Sequence, residues 1–527
     1  MPSGQPAGCR RYTFVDRVGG FGLRAVTPVF YSRDMVAPAA RDQLPPSIKP
    51  DFIGGHFRSF RRDPTGFFTR LSRLGDVTSF RMGPQQAFLL NHPEHVRDLL
   101  VVNAHKFMKG RALQRAKSLL GNGLLTAEGE FHLRQRRMIQ PAFHRARIAE
   151  YARAMIDYGE RMSATWNDGE VRDIDHEMTQ LTLQIVGKTL FNADVQDEAD
   201  EVGKAMTTLI SMFNFLLLPF SEWLEKLPLP HSRRYHHARD TLNSIIYKII
   251  NERRRSGEDH GDLLSMLLLA QDPEDGVGMT DEQVRDEALT LFLAGHETTA
   301  NALTWTWHLL SENPEVEAKL HEELDRVLGN TERGARSEES EPGAVATGFF
   351  PDPKSEIQNP KSNGTLAYGR VPARRLPVVD DIPRLNYTEA VIAESMRLFP
   401  PAWTLGRLAI EEHEYGGYRM PKGSLVLASQ FLIHHDARFW PEPEKFRPER
   451  WLEQPVKDAG QKYIYFPFGG GVRRCIGEGF AWTEAILLLA TIARKWKLRR
   501  VPDQKVGLQP MITLRPKYGM RMRLETR

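Results

Sequence analysis

Hydrophobic and polar positions divide the 527-residue chain into distinct stretches. Residues 1–45 have no sustained periodicity and end in Leu44-Pro45-Pro46, the pattern of a loose N-terminal extension. Residues 77–91 (Val-Thr-Ser-Phe-Arg-Met-Gly-Pro-Gln-Gln-Ala-Phe-Leu-Leu-Asn) read as two short strands around Gly83-Pro84. From His92 onward most segments recur at helical spacing. The longest covers 279–312. Thr280 and Gln283 form a capping-box pattern at its start, and Asn313-Pro314 stops it. At 1.5 Å per residue it would be about 50 Å long, enough to cross a whole domain. Residues 331–375 are polar and rich in Gly and Pro, which predicts a disordered insert within a domain spanning 46–527. The most apolar short run, 209–220, still holds Ser211, Asn214 and Pro219. It reads as a substrate-entry lip, a membrane-touching loop or a buried helix end. A last apolar helical stretch follows Phe480 and runs through Ala481 to Trp496. No internal repeat is evident, and no run is long enough to span a bilayer.

Composition narrows this little. Hydrophobic content of 41% and charged content of 26% are ordinary for a soluble globular protein. A net charge of +4 gives no argument for nucleic acid. The two cysteines, Cys9 and Cys475, are far apart, offer no disulfide framework and fit a reducing compartment. Arg10-Arg11 is followed by too short an apolar stretch for a twin-arginine export signal. The expected location is cytoplasmic, with peripheral contact at a membrane surface as the other reading.

The chemistry concentrates at Phe466-Pro-Phe-Gly-Gly-Gly-Val-Arg-Arg-Cys-Ile-Gly477. A lone thiol sits in a glycine-rich loop just before an apolar helix. Glycine lets backbone turn sharply and approach a flat ligand. The free N–H groups at the helix start favour thiolate over thiol. A buried free cysteine beside a turn is the bland alternative. Five fixed positions, Phe468-x-x-Gly471-x-Arg473-x-Cys475-x-Gly477, outweigh it. This pattern resembles the haem-binding loop of the cytochrome P450 family. The resemblance implies haem b with Cys475 as the axial iron ligand, Arg473 beside a haem propionate and Phe468 covering the sulfur.

Three further motifs resemble the family in its expected order. Ala294-Gly295-His296-Glu297-Thr298-Thr299 lies within the long helix, where Glu297 and Thr298 are similar to the family's proton-handling acid–alcohol pair. Glu394 and Arg397 share a helix face, and Arg450 stands where the family joins a second arginine to that pair, a structural role. His132-x-x-x-Arg136 supplies two propionate donors on one helix face, with His where many members have Trp. Arg407, ten residues after Arg397, is another expected propionate partner.

The resemblance implies a cytochrome P450 fold, mainly α with a small β region. It also implies monooxygenation: O₂ and NAD(P)H-derived electrons insert one oxygen atom into an apolar lipid, fatty acid or terpenoid-like substrate. Too few residues follow Cys475 for a fused flavin or iron–sulfur module, so the electrons are expected from a separate ferredoxin or flavodoxin with its reductase. Arg370, Arg374 and Arg375, at the edge of the insert, offer one basic docking surface for such a donor. Candidate substrate contacts are Phe292, Ala294, Trp403, Leu405, Met511 and Ile512. Two rival classes stay open: a haem-thiolate isomerase or peroxygenase, against which the intact Glu297-Thr298 pair argues, and a non-catalytic haem-binding protein.

Overall fold

The computed structural model describes residues 44–51, 54–192, 230–329 and 374–527, with Ala205 and Thr208. Most of the N-terminal extension, the run 209–220 and nearly all of the insert lie outside the described residues. Among the described residues, eight helices have eleven residues or more: α1 (Gly129–Ile139), α2 (Arg145–Ala164), α3 (Ile174–Phe191), α4 (Pro230–Ser256), α5 (Asp281–Glu312), α6 (Pro314–Leu328), α7 (Asn386–Leu398) and α8 (Glu478–Ala493).

The long central helix α5 forms as its pattern predicts, with Thr280 as its N-cap. Thr280 Oγ1 accepts from Gln283 N–H at 3.2 Å, and Gln283 Oε1 accepts from Thr280 N–H at 2.9 Å. Its C-terminal half is buried on almost every side, with Trp305 and Trp307 fully enclosed. Helix α3 lies along it, and Gly295 permits the approach: a Cβ there would stand 3.1 Å from Val186. Helix α7 takes its cap from a neighbour. The carboxylate of Glu323 on α6 accepts from Tyr387 N–H at 2.7 Å and Thr388 N–H at 2.8 Å.

The β region is small. Strands β1 (Val77–Met82) and β2 (Gln85–Leu90) form the expected hairpin, with Gly83 at φ +60° in its turn. They join β3 (Phe107–Lys109), β5 (Leu405–Ala409) and β8 (Leu425–Ala428) in a sheet of order β1-β2-β8-β5-β3, antiparallel except between β2 and β8. Strands β4 (Val171–Asp173), β12 (Arg521–Thr526) and β9 (Trp496–Arg500) make a second sheet. Two hairpins complete the set: β6 (His413–Tyr415) with β7 (Tyr418–Met420), and β10 (Leu508–Pro510) with β11 (Leu514–Pro516). The apolar stretch after Phe480 does not stay helical to Trp496. It ends at Ala493, where the burial period shifts from helical to alternating and Trp496 opens β9.

The ends of the insert meet. Arg375 N–H donates to the carbonyl of Leu328, the last residue of α6, at 3.2 Å. Arg374 pairs with Asp325 and exchanges two guanidinium–carbonyl bonds with Arg494, at 3.2 and 3.0 Å. Arg375 is paired with buried Asp381. Both arginines therefore hold the chain's return point and are committed within the fold, which weighs against their use in docking a donor.

Candidate active site

One end of the site is built on a closed ionic knot. Glu394 and Arg397 meet across one turn of α7, at 2.9 and 3.0 Å, with no exposure of either side chain. Arg450 Nε donates to Glu394 Oε1 and Trp451 Nε1 to Oε2, both at 2.9 Å, and Arg447 N–H adds a third donor at 3.1 Å. The rest of Arg397 reaches the carbonyls of His434 at 2.7 Å and Lys445 at 3.2 Å. A buried pair is tolerated only with such complete hydrogen bonding. From it the chain runs directly to the cysteine loop. Phe466 N–H donates to His434 Nε2 at 3.0 Å, and Tyr465 Oη–H donates to Ala393 O at 3.0 Å.

The loop itself is shaped by its own contacts. Gly471 sits at φ +64°, and a Cβ there would stand 1.9 Å from the Leu100 carbonyl, so its glycine serves the close approach of residues 98–102. Gly477 is at φ −85°, and a Cβ there would clear every protein atom, standing 4.0 Å from Cys475 Sγ. Its missing side chain leaves room beside the sulfur. Cys475 N–H donates to Phe468 O at 3.0 Å, while the Phe468 ring packs 5.9 Å from Trp482.

Cys475 is accessible, yet burial pushes its thiol up to about 11. Gly477 N–H, Arg136 and Arg474 pull the other way and lose. A coordinating cation would displace the proton outright.

Beside the thiol lies a cluster of cations that the protein does not neutralise. Arg473 donates to Ala127 O at 2.7 Å and pairs with Glu128. Glu128 also accepts from Lys109 N–H at 2.7 Å. Lys109 and Arg407 face each other directly across β3 and β5, a like-charge pairing that costs stability by itself. Burial, and then Arg473, push Lys109 down to about 7 and Arg407 to about 10. On α1, burial and the charges of Arg473, Lys109 and Arg136 push His132 down to about 3. Arg136 donates to the Arg474 carbonyl at 2.7 Å. Of the four side chains Lys109, Arg136, Arg407 and Arg473, only Arg473 is paired with a carboxylate; the Lys109 ammonium bonds the carbonyls of Leu124 and Leu125, and Arg136 and Arg407 bond backbone carbonyls. The sequence names Arg473, Arg136, Arg407 and His132 but misses Lys109. A lysine in a three-residue strand gives no signal until its partner across the sheet is known.

The other wall is α5. Ala294 is exposed although most of the surrounding helix is buried, which identifies the face that borders an interior space. Thr298, one turn on, is partly exposed and donates to the Ala294 carbonyl at 2.8 Å. Glu297 leaves the helix on a different side, where Thr513 Oγ1–H donates to its Oε1 at 2.6 Å. Of the remaining candidate contacts, Leu405, Met511 and Ile512 are partly exposed. Phe292 is packed into the helical core against His296, and Trp403 is buried with Nε1 bonded to Met511 O at 3.0 Å. Neither opens onto that space.

An accessible thiol, room beside it and unneutralised cations fit a metal-bearing macrocycle that carries carboxylates. The family model described as "Cytochrome P450" matches residues 45–340 and 370–520. The chain belongs to the cytochrome P450 family. It is a haem-thiolate monooxygenase, an oxidoreductase that incorporates oxygen from O₂. It is 38% identical to cyclooctatin synthase of Streptomyces melanosporofaciens, over 88% of this chain and 91% of that protein. Cyclooctat-9-en-7-ol 5-monooxygenase of the same organism is 37% identical, over 90% and 94%. Pentalenene oxygenase of Streptomyces avermitilis is 34% identical, over 90% and 96%. The family match omits 341–369, within the segment whose ends meet at Leu328 and Arg375. Among the described residues, no helix of this P450 is long and apolar enough to cross a membrane.

Proposed function

We propose that this P450 binds haem b through Cys475 and hydroxylates or oxidises a cyclic terpene or terpene alcohol. The carrying observation is the cluster of Lys109, Arg136, Arg407 and Arg473, of which only Arg473 is paired with a carboxylate, next to the accessible thiol. Two propionates would supply the charge that this cluster lacks. Lys109, Arg136, Arg407, Arg473 and neutral His132 would hold them. Bound haem supplies the activation of O₂ that no side chain can perform.

The chain's own residues do the rest. Phe468, Gly471 and Gly477 shape the loop around the sulfur. Glu394, Arg397 and Arg450 keep that loop in register with the helical core. Thr298 and Glu297 hold the protons that oxygen reduction consumes. Ala294, Leu405, Met511 and Ile512 offer an apolar surface to a hydrocarbon skeleton, and the terpenoid names of the relatives favour that class. Electrons come from a separate ferredoxin or flavodoxin with its reductase, in the cytoplasm.

The test is spectral and chemical. The reduced protein with carbon monoxide absorbs at the long-wavelength position of thiolate ligation, and Cys475→Ala loses it. A full haem complement with an unchanged spectrum in that variant would falsify the ligand. A panel of cyclic terpenes and terpene alcohols is then screened by haem spin-state change. Response to fatty acids alone overturns the substrate class. In Thr298→Ala, the expected result is intact haem and a larger share of NAD(P)H electrons leaving as peroxide.

A further inference from the structure

Glu297 is adjacent in sequence to Thr298, but on a helix one residue is a rotation of about 100°, so the two side chains leave α5 in different directions. What holds the Glu297 carboxylate is a second element, the three-residue turn 511–513 of the β10–β11 hairpin. Thr513 Oγ1–H donates to Glu297 Oε1 at 2.6 Å, and Asn301 Nδ2–H donates to Thr513 Oγ1 at 3.1 Å. The amide of Asn301 thus occupies an acceptor position on the hydroxyl and turns its proton towards Glu297. Glu297, Asn301 and Thr513 are each 4% exposed or less.

The turn is fixed from three sides. Trp403 Nε1–H donates to Met511 O at 3.0 Å, Trp305 Nε1–H to Leu514 O at 2.9 Å, and Leu514 N–H to Pro401 O at 2.9 Å. Buried Trp403 thereby finds a role as support for the turn. Beyond it, Arg515 Nε lies 3.7 Å from the same Glu297 oxygen, with its side chain partly exposed. Asp175, at the start of α3, faces both Arg515 and Glu297, and its Oδ1 has no hydrogen-bond partner. Burial raises its carboxyl to about 6. Polar groups therefore continue from Glu297 towards the surface on the side away from Ala294.

We propose that Thr513, oriented by Asn301 and the tryptophan-braced turn, is a positioning residue that holds Glu297 towards Arg515 and solvent, where it takes up the protons passed to Thr298. This rests on the reading of Glu297 as the proton-handling acid. Because Met511 and Ile512 belong to the same turn, the apolar contact surface and the acid's anchor are one rigid piece.

The haem-loaded protein is compared with Thr513→Val, Thr513→Ser and Glu297→Gln. Two quantities are read: product and peroxide per NAD(P)H, and the C–O stretching band of carbon monoxide on the reduced protein without turnover. In Thr513→Val the product-to-peroxide ratio falls about tenfold, the change in orientation that a hydrogen bond to a charged group supports. A second C–O band appears as the released carboxylate samples the interior, and KM is unchanged. Thr513→Ser restores the parent ratio and the single band. If Glu297→Gln uncouples while Thr513→Val keeps both the ratio and the single band, the positioning role is overturned and the acid assignment stands. If Glu297→Gln stays fully coupled, the acid reading fails and the proposal with it. Should Thr513→Val not load haem, Asn301→Ala replaces it. That variant frees the Thr513 hydroxyl to rotate, so it is expected to uncouple as well, and parent-like coupling overturns the proposal.

Discussion

Two groups of basic side chains flank the cysteine loop, one around Glu394 and one around Glu128, and they are built to different rules. Around Glu394, the carboxylate accepts from Arg397, Arg450, Trp451 and the Arg447 backbone, and the remaining guanidinium groups reach backbone carbonyls. The Trp440 ring lies under both guanidinium groups, 5.5 Å from one and 5.8 Å from the other. Around Glu128, only Arg473 of four neighbouring basic side chains is paired with a carboxylate, and two of the four, Lys109 and Arg407, face each other across a sheet. The first group is complete without a ligand and has the form of a structural joint. The second is in deficit and has the form of a receptor for anions. Charge balance separates a fastening from a binding site where residue type alone does not.

The strongest way to break this comparison is Glu394→Ala. It leaves two guanidinium groups buried without their carboxylate, a loss of about 3–5 kcal/mol. The expected outcome is a protein that does not accumulate folded or load haem, read from the soluble yield and the melting temperature. Survival at the parent melting temperature would reduce the knot to decoration. Arg407→Met gives the opposite sign in the unloaded protein. Removing one of two facing cations raises apoprotein stability, while haem affinity falls about 10–100-fold for the loss of a charge-assisted contact worth about 1.5–3 kcal/mol. Haem titration beside apoprotein melting measures both. A drop in both would make Arg407 part of the framework.

Glu484 on α8 sharpens the rule from the acid side. It is fully buried, no cation pairs with it among the described residues, and burial pushes it up to about 8 from an unfolded value of 4.5. A raised folded value means that the folded state holds the proton longer. Its contribution is full below about 4.5 and is lost as pH rises towards 8. Glu484→Gln therefore melts progressively higher than the parent as pH climbs through that window, and parallel melting curves would contradict the buried neutral acid. The smallest effect is expected from replacing 335–372 with a short Gly-Ser linker. Shortening a loop by three doublings returns about 2 kcal/mol at most. Haem content and donor-dependent turnover are expected to hold, and loss of haem would make the segment part of the fold.

The parts of this molecule legible in sequence are those where one short segment carries both the signal and its use. Thr280 and Gln283 cap the helix they precede. Glu394 and Arg397 meet within one turn. Gly83 turns its own hairpin. What was hidden depends on partners brought from far along the chain. Lys109 acquires meaning only opposite Arg407, and Thr513 only against Glu297. The same distance effect reassigns known motif residues. The glycine character of Gly471 answers to Leu100, that of Gly295 to Val186, and Trp403 braces a turn instead of facing the interior space.

The clasp between Leu328 and Arg375 has a consequence for how the molecule can be divided. Because the chain departs and returns across a single backbone hydrogen bond, a cut in 330–373 severs no contact among the described residues. The two pieces would then carry complementary halves of one receptor: Lys109, His132, Arg136 and Thr298 on the first, Arg407, Arg473, Cys475 and Thr513 on the second. Neither piece alone holds the full set, so the colour of bound haem would report their reunion, and the P450 becomes a two-part reporter whose signal is its own cofactor.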